Sequence, residues 1–233
     1  MLLNLMLRNN NRKYDNVDPN QQLVDFLSKE HSYQELYHIA VQSIDTKGYE
    51  DSLKPIVYSY PNFKDINSTL NDLVVSNATI KVQGGGMRTE VQAYDGTDPE
   101  EINALFTWVL SLIPDIIEQY RTMSRTLSPK IDDISSYSIV DYWGMHYSKG
   151  QGAIGHNHFP YTFSLAYYIS TPEGCSSLMM EDQSYDVQEG DLIIWPSELY
   201  HCVKSSDVDG RVMISANISY LPKLDKPQKV WYK

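Results

Sequence analysis

Gly155-His156-Asn157-His158-Phe159-Pro160 sits among the short segments that decide the fold class. Tyr137 to Tyr147 and Thr162 to Ser170 flank it. Ser177 to Asp182, Asp191 to Trp195, His201 to Ser205 and Arg211 to Leu221 follow. Each reads as a strand, and Gly, Pro, Asp and Ser punctuate the gaps. Six such strands in about 90 residues point to a sandwich, jelly roll or barrel. The expected fold is mainly β with flanking helices.

Residues two apart in a strand share a face. If His156 and His158 lie in extended backbone, both rings turn toward one point and Asn157 points away. His201 opens a neighbouring strand after the turn Pro196-Ser197-Glu198-Leu199. Three imidazoles from two strands make a mononuclear site with open positions, suited to Fe, Zn, Cu or Ni. Any one of these histidines alone would read as an ordinary surface or hydrogen-bonded residue. Arg211 opens the last strand, where Met213, Ser215 and Asn217 share its face and Val212, Ile214 and Ala216 face the other way. A guanidinium inside a barrel needs an anion to offset its desolvation. A small dicarboxylate held bidentately would supply one, as would a structural salt bridge.

Working outward, Met1 to Leu7 is apolar but short, and reads as a strand and not a signal peptide. Helices are expected from Asp18 to Lys29, from Tyr33 to Ile44 and from Asp65 to Val75. Gly48 to Asn62 reads as extended. Ala78 to Val82 and Arg88 to Tyr94 read as strands joined by Gly84-Gly85-Gly86. This triple glycine lacks the Gly-Lys-Ser/Thr of a phosphate loop and opens no helix, so a hairpin connection is expected. Asp98-Pro99-Glu100-Glu101 starts a helix with Asp98 as cap, and Pro114 should kink or split it.

The chain has 233 residues, 42% hydrophobic and 21% charged, enough for a sizeable core in one large domain or two small ones. Its net charge of −11 argues against a broad nucleic-acid footprint. No run is long and apolar enough for a membrane helix. Cys175 and Cys202 are too few for a disulfide or zinc framework; one pair could form in an oxidising compartment, and free thiols in a reducing cytoplasm are expected.

The second half resembles the 2-oxoglutarate/Fe(II)-dependent oxygenase superfamily, and more narrowly a group with many members in phage and marine microbial genomes. The resemblance covers roughly residues 137 to 220. It rests on His156-Asn157-His158-Phe159-Pro160, Leu165-Ala166-Tyr167-Tyr168-Ile169, Gly190-Asp191-Leu192-Ile193-Ile194-Trp195-Pro196-Ser197, His201, and Arg211-Val212-Met213-Ile214-Ser215-Ala216-Asn217. It implies a double-stranded β-helix, a jelly-roll or cupin-like barrel, carried by residues 131–222. Residues 1–130 would form a helical and strand buttress within one domain spanning 1–233.

It also implies Fe(II) held by His156, His158 and His201, with 2-oxoglutarate as co-substrate. The distal carboxylate of 2-oxoglutarate would meet Arg211 and Tyr168. Ser215 stands in for a serine that Met213 displaces, and His146 lies near the co-substrate. The superfamily usually has Asp or Glu where His158 stands, so Glu181 or Asp182 is the alternative third ligand. Trp143, Tyr147 and Phe159 are expected pocket walls.

The activity implied is dioxygenase hydroxylation of an unknown, by resemblance peptidyl, substrate, releasing succinate and CO2. A three-histidine cupin-like dioxygenase that does not use 2-oxoglutarate is the alternative enzyme. A catalytically silent barrel acting as a binding module is the alternative outside enzymes. Expected partners are the small-molecule co-substrate and a peptide or protein substrate, with no nucleic acid and no membrane. A homodimer is compatible with this reading, and the compartment is the cytoplasm, the host's if the chain is phage-encoded.

Overall fold

Residues 54–123, 135–180 and 182–220 are described by the structure, a computed structural model of the chain. The expected elements between Met1 and Ile44 lie outside them. The first half contributes strand β1 (Ile56–Ser59), helix α1 (Phe63–Asn77), the short strands β2 (Ile80–Lys81), β3 (Met87–Arg88) and β4 (Gln92–Ala93), and helices α2 (Glu100–Ser111) and α3 (Ile113–Met123). The second half contributes β5 (Tyr137–Tyr147), β6 (Ala153–His156), β7 (Phe163–Ser170), β8 (Leu178–Met180), β9 (Gln183–Tyr185), β10 (Asp191–Pro196), β11 (His201–Val203) and β12 (Arg211–Tyr220). Strands β6 and β9 were not among the expected six.

These strands form two antiparallel sheets. The larger runs β1-β10-β7-β12-β5-β3-β2, with β4 also paired to β5. The smaller runs β6-β11-β8-β9. Two sheets with their inner faces together and helices outside one of them make a double-stranded β-helix. Strands β1 to β4, from the first half, belong to the larger sheet.

Alternation in β7, β10 and β12 sets the two cores. Phe163, Leu165, Tyr167 and Ile169 of β7 join Leu192, Ile194, Val212, Ile214 and Ile218 on the helix side. Ala166, Tyr168, Ile193, Trp195 and Met213 face the smaller sheet. Strands covered on both faces become continuously apolar, and β7 is buried throughout except at Ser170.

On the helix side, Leu70, Ile102, Leu105, Phe106, Ile116 and Ile117 are fully buried. Each such side chain contributes roughly 1.5–3 kcal/mol. Asn67 of α1 donates to the Ile169 carbonyl at 2.9 Å and accepts from the Tyr167 hydroxyl at 2.7 Å. Tyr120 of α3 donates to the Ile194 carbonyl at 3.2 Å. These bonds fix the helices on the sheet, and the site opens on its other face.

The helix break arrives as expected. Leu112 interrupts the run and Pro114 falls in the first turn of α3, where its missing N–H costs nothing. The cap differs from expectation. Pro99 occupies the N-cap position of α2 with no side-chain bond. Asp98 instead accepts from the Tyr142 hydroxyl at 2.5 Å, so a bond to the sheet replaces the cap. The triple glycine makes the β2–β3 hairpin connection, with Gly84 at φ +98°. Gly152 donates to the Gly84 carbonyl at 2.8 Å, which joins the hairpin to the approach of β6. Among the described residues, no helix is long and apolar enough to cross a membrane.

Candidate metal centre

His201 and His156 are direct partners across the β11–β6 pair. This cross-strand register is what makes them neighbours. His156 is the last residue of β6, and His158 lies beyond the strand in the loop leading to β7. Alternation within one strand, the expected reason for their convergence, therefore does not apply. The rings converge all the same. Ring centroids are 4.9 Å apart for His156–His158, 4.5 Å for His156–His201 and 5.1 Å for His158–His201. One ring nitrogen from each lies within 4.8 Å of the others, so a single ion can be shared by all three.

Two of the rings have their tautomer set by the backbone. His156 Nδ1 lies 2.8 Å from the Ile154 carbonyl, and His201 Nδ1 lies 3.1 Å from the Leu199 carbonyl. A carbonyl only accepts, so Nδ1 carries the proton and Nε2 keeps its lone pair for a metal. Trp143 packs on His158 and Trp195 on His201, with centroids 5.5 and 4.9 Å apart.

His158 is held through its loop. Its N–H donates to the Ser197 carbonyl at 2.8 Å. The Ser197 and Ser164 hydroxyls are 2.9 Å apart, and Ser164 donates to Asn217 at 2.8 Å. Asn217 donates to Asp141 at 2.8 Å, and Tyr161 donates to the same carboxylate at 2.6 Å. The Asn217 that ends the β12 motif thus ties β5, β7 and the His158 loop together.

Burial holds the His158 imidazole down to a pKa of about 4, with His156 adding repulsion. Burial likewise takes His201 to about 3. The Leu199 carbonyl opposes this, and His156 and His158 reinforce it. Both rings are therefore neutral, ligand-competent imidazoles at neutral pH. The unfolded chain takes up these protons near pH 6.5, whereas the folded chain does so only near pH 4 and 3. Stability of the metal-free protein is full above pH 6.5 and declines as pH falls below it. We expect a loss of about 2 kcal/mol for each imidazole between pH 7 and 5. Urea unfolding of the metal-free protein checks this, and flat stability across that window would contradict it.

A cavity of about 500 Å³ opens beside the three rings. Trp143, Met145, Tyr147, Trp195 and Ser215 are among its walls. Arg211 and Tyr168 are not among those walls; Arg211 lies in the same barrel, paired across β12 and β5 with Tyr147, which is one of them. It is 0% exposed, and none of its three guanidinium nitrogens has a hydrogen-bond partner. Its guanidinium carbon is 5.3 Å from the Tyr147 ring and 5.4 Å from the Tyr168 ring. The Tyr168 hydroxyl and the Trp195 indole N–H are also buried without partners. Five of the seven orphaned buried side-chain atoms among the described residues are therefore in this barrel. Natural interiors rarely leave such groups unsatisfied, and a guanidinium with a phenol beside it has the donor chemistry to take a carboxylate. Burial raises the Tyr168 pKa, while the Arg211 charge and the guanidinium's approach to the phenol oxygen, short of hydrogen-bond geometry, oppose the rise, and the phenol stays protonated.

Other expected residues fall elsewhere. His146 sits between Met145 and Tyr147, which line the cavity, and is absent from its walls. It pairs with Val212 of the helix-side core. Strand parity thus turns it away from the cavity, and its neighbour Tyr147 lies against Arg211 instead. Phe159 is 74% exposed and forms no wall. Asp182 is exposed in the turn before β9 and outside the histidine cluster, while Glu181 lies outside the described residues. Ser215 does line the cavity. Trp195 stands outside the expected site residues, and its buried indole N–H adds a donor to the barrel.

No family sequence profile matches the chain, and no curated protein sequence matches it. Solved structures do. One is the viral collagen prolyl hydroxylase of Paramecium Bursaria Chlorella virus-1 in its 2OG complex. It is 12% identical with TM-score 0.51, over 70% of this chain and 94% of that one. A truncated form of the same enzyme is 10% identical with TM-score 0.50, over 72% and 90%. A Pseudomonas putida prolyl-4-hydroxylase is 14% identical with TM-score 0.49, over 72% and 92%. At these identities the likeness concerns architecture alone: the chain shares the double-stranded β-helix fold of the viral collagen prolyl hydroxylase.

Proposed function

We propose that the chain is an Fe(II)- and 2-oxoglutarate-dependent dioxygenase that hydroxylates a peptidyl substrate. The observation that carries this reading is the fully buried, unpartnered Arg211 guanidinium in the barrel that also gathers His156, His158 and His201. The donor set fits both groups. Imidazole nitrogens suit Fe(II), and a guanidinium with a phenol beside it suits the distal carboxylate of a dicarboxylate.

When bound, Fe(II) and 2-oxoglutarate supply the redox chemistry. O2 accepts four electrons, two from decarboxylation of the keto acid to succinate and two from the substrate C–H bond. The chain's own residues bind and orient. His156 and His201 keep their Nδ1 protons on backbone carbonyls and present Nε2. Arg211 and Tyr168 anchor the co-substrate, with Ser215 lining the adjoining wall. Trp143, Met145 and Trp195 exclude water from the reacting centre. Cys175 and Cys202 are free thiols, in keeping with action in a reducing cytoplasm.

The third imidazole supports a second reading, a three-histidine dioxygenase in which Arg211 clamps a substrate carboxylate and 2-oxoglutarate plays no part. Aerobic incubation of the Fe(II)-loaded protein with 2-oxoglutarate separates the two, with succinate measured by NMR. We expect succinate to form. None, with iron bound, favours the second reading. No change in melting temperature on adding Fe(II) and 2-oxoglutarate points instead to a non-catalytic binding module.

A further inference from the structure

We infer that Arg88 is a specificity-determining residue of this cavity, selecting a peptide that carries a carboxylate side chain beside the oxidised residue. The inference rests on the oxygenase reading of the same site. Arg88 opposes Met145 across β3 and β5. Directly opposed residues of an antiparallel pair share a face, and Met145 belongs to the barrel interior. The pleat therefore aims Arg88 into the cavity, while Met87 opposes His146 on the other face.

Among the described residues, Arg88 is the only Asp, Glu, Lys or Arg in the cavity wall. Its one recorded hydrogen bond runs from NH1 to the neighbouring Thr89 carbonyl at 3.1 Å. No described carboxylate pairs with it, in a chain with 30 acidic and 19 basic residues. A half-buried cation left unpaired amid so many acids is available to a ligand, and its planar fork fits a carboxylate.

Arg88 differs from Arg211. Arg211 is sealed in the barrel, whereas Arg88 shares its wall with Val91 and Ile154, which are 47% and 52% exposed. A cation bordered by apolar surface wider than a small acid would cover calls for a chain with an acidic side group. The two arginines thus serve two anions, the co-substrate's and the substrate's.

The test uses Zn(II)-loaded protein with N-oxalylglycine and labelled peptides of equal length. Each peptide has a central proline flanked by glutamate, glutamine, lysine or phosphoserine, and binding is read by fluorescence anisotropy. We expect the glutamate peptide to bind about tenfold tighter than the lysine peptide. Arg88→Gln should remove that preference, and Arg88→Lys should keep part of it. Equal affinities, no binding by any peptide, or a preference that survives in Arg88→Gln overturns the inference. A gain confined to phosphoserine overturns the carboxylate assignment. A raised Kd for N-oxalylglycine in Arg88→Gln overturns it too, by making Arg88 a co-substrate anchor. If Zn(II) and N-oxalylglycine fail to raise the melting temperature of the unaltered protein, the oxygenase reading itself has failed, whatever the peptides do.

Discussion

Arg211→Met raises the melting temperature of the ligand-free protein and abolishes its response to 2-oxoglutarate. The two effects have opposite signs because one guanidinium causes both. In the free protein it is a fully buried cation whose nitrogens have no acceptor. The Tyr147 and Tyr168 rings offset part of its desolvation, and the remainder is a standing cost. Replacing a buried charge with an apolar side chain of similar length relieves on the order of 1–4 kcal/mol, a shift of several degrees for a chain of this size. With 2-oxoglutarate bound, the same group would be one half of a buried charge pair. Losing that half costs about 2–5 kcal/mol, which weakens binding roughly 30- to 4,000-fold. A structural ion pair would behave differently, since Arg211→Met would then lower the melting temperature and leave 2-oxoglutarate binding unaffected. Differential scanning fluorimetry with and without the keto acid reads both quantities.

His158→Ala lowers Co(II) affinity by at least about 100-fold, more than loss of an outer-shell partner would, and His201→Ala does the same. His158→Asp retains the metal, because it restores the two-His-one-carboxylate set that ferrous oxygenases use. Glu181→Ala leaves affinity unchanged. The alternative arrangement, with a carboxylate as third ligand, reverses the pattern: Glu181→Ala loses the metal and His158→Ala keeps it. Calorimetric titration of Co(II) distinguishes these outcomes. The expectation rests on the three nitrogens lying within 4.8 Å of one another and on Asp182 standing outside the cluster.

The fold was legible where one strand's pattern is self-contained. In β12 the alternation of Arg211, Met213 and Ser215 against Val212, Ile214 and Ala216 sorts the strand correctly between the two cores. Local chemistry also located the break at Pro114 and the hairpin at the triple glycine. What failed depended on parity or on partners from distant strands. The resemblance implied His146 near the co-substrate, yet alternation in β5 puts it on the helix-side face and brings Tyr147 to Arg211. Asp98 has the composition of a helix cap, but the Tyr142 hydroxyl outcompetes the helix for its carboxylate. Arg88 carries no motif, and only its register against Met145 shows where it points. The convergence of His156 with His158 was expected for an incorrect reason. A loop tied down by Ser197, Ser164, Asn217 and Asp141 produces it, and those four residues meet only in the folded chain.

The central claim is that one barrel holds a metal on three imidazoles and a dicarboxylate on Arg211. Anaerobic calorimetric titration of 2-oxoglutarate into the Fe(II)-loaded protein tests it most directly. The account predicts one equivalent bound, with affinity that falls sharply when the metal is removed and again in Arg211→Met. Absence of binding to the iron-loaded protein, or binding indifferent to both metal and Arg211, would contradict it.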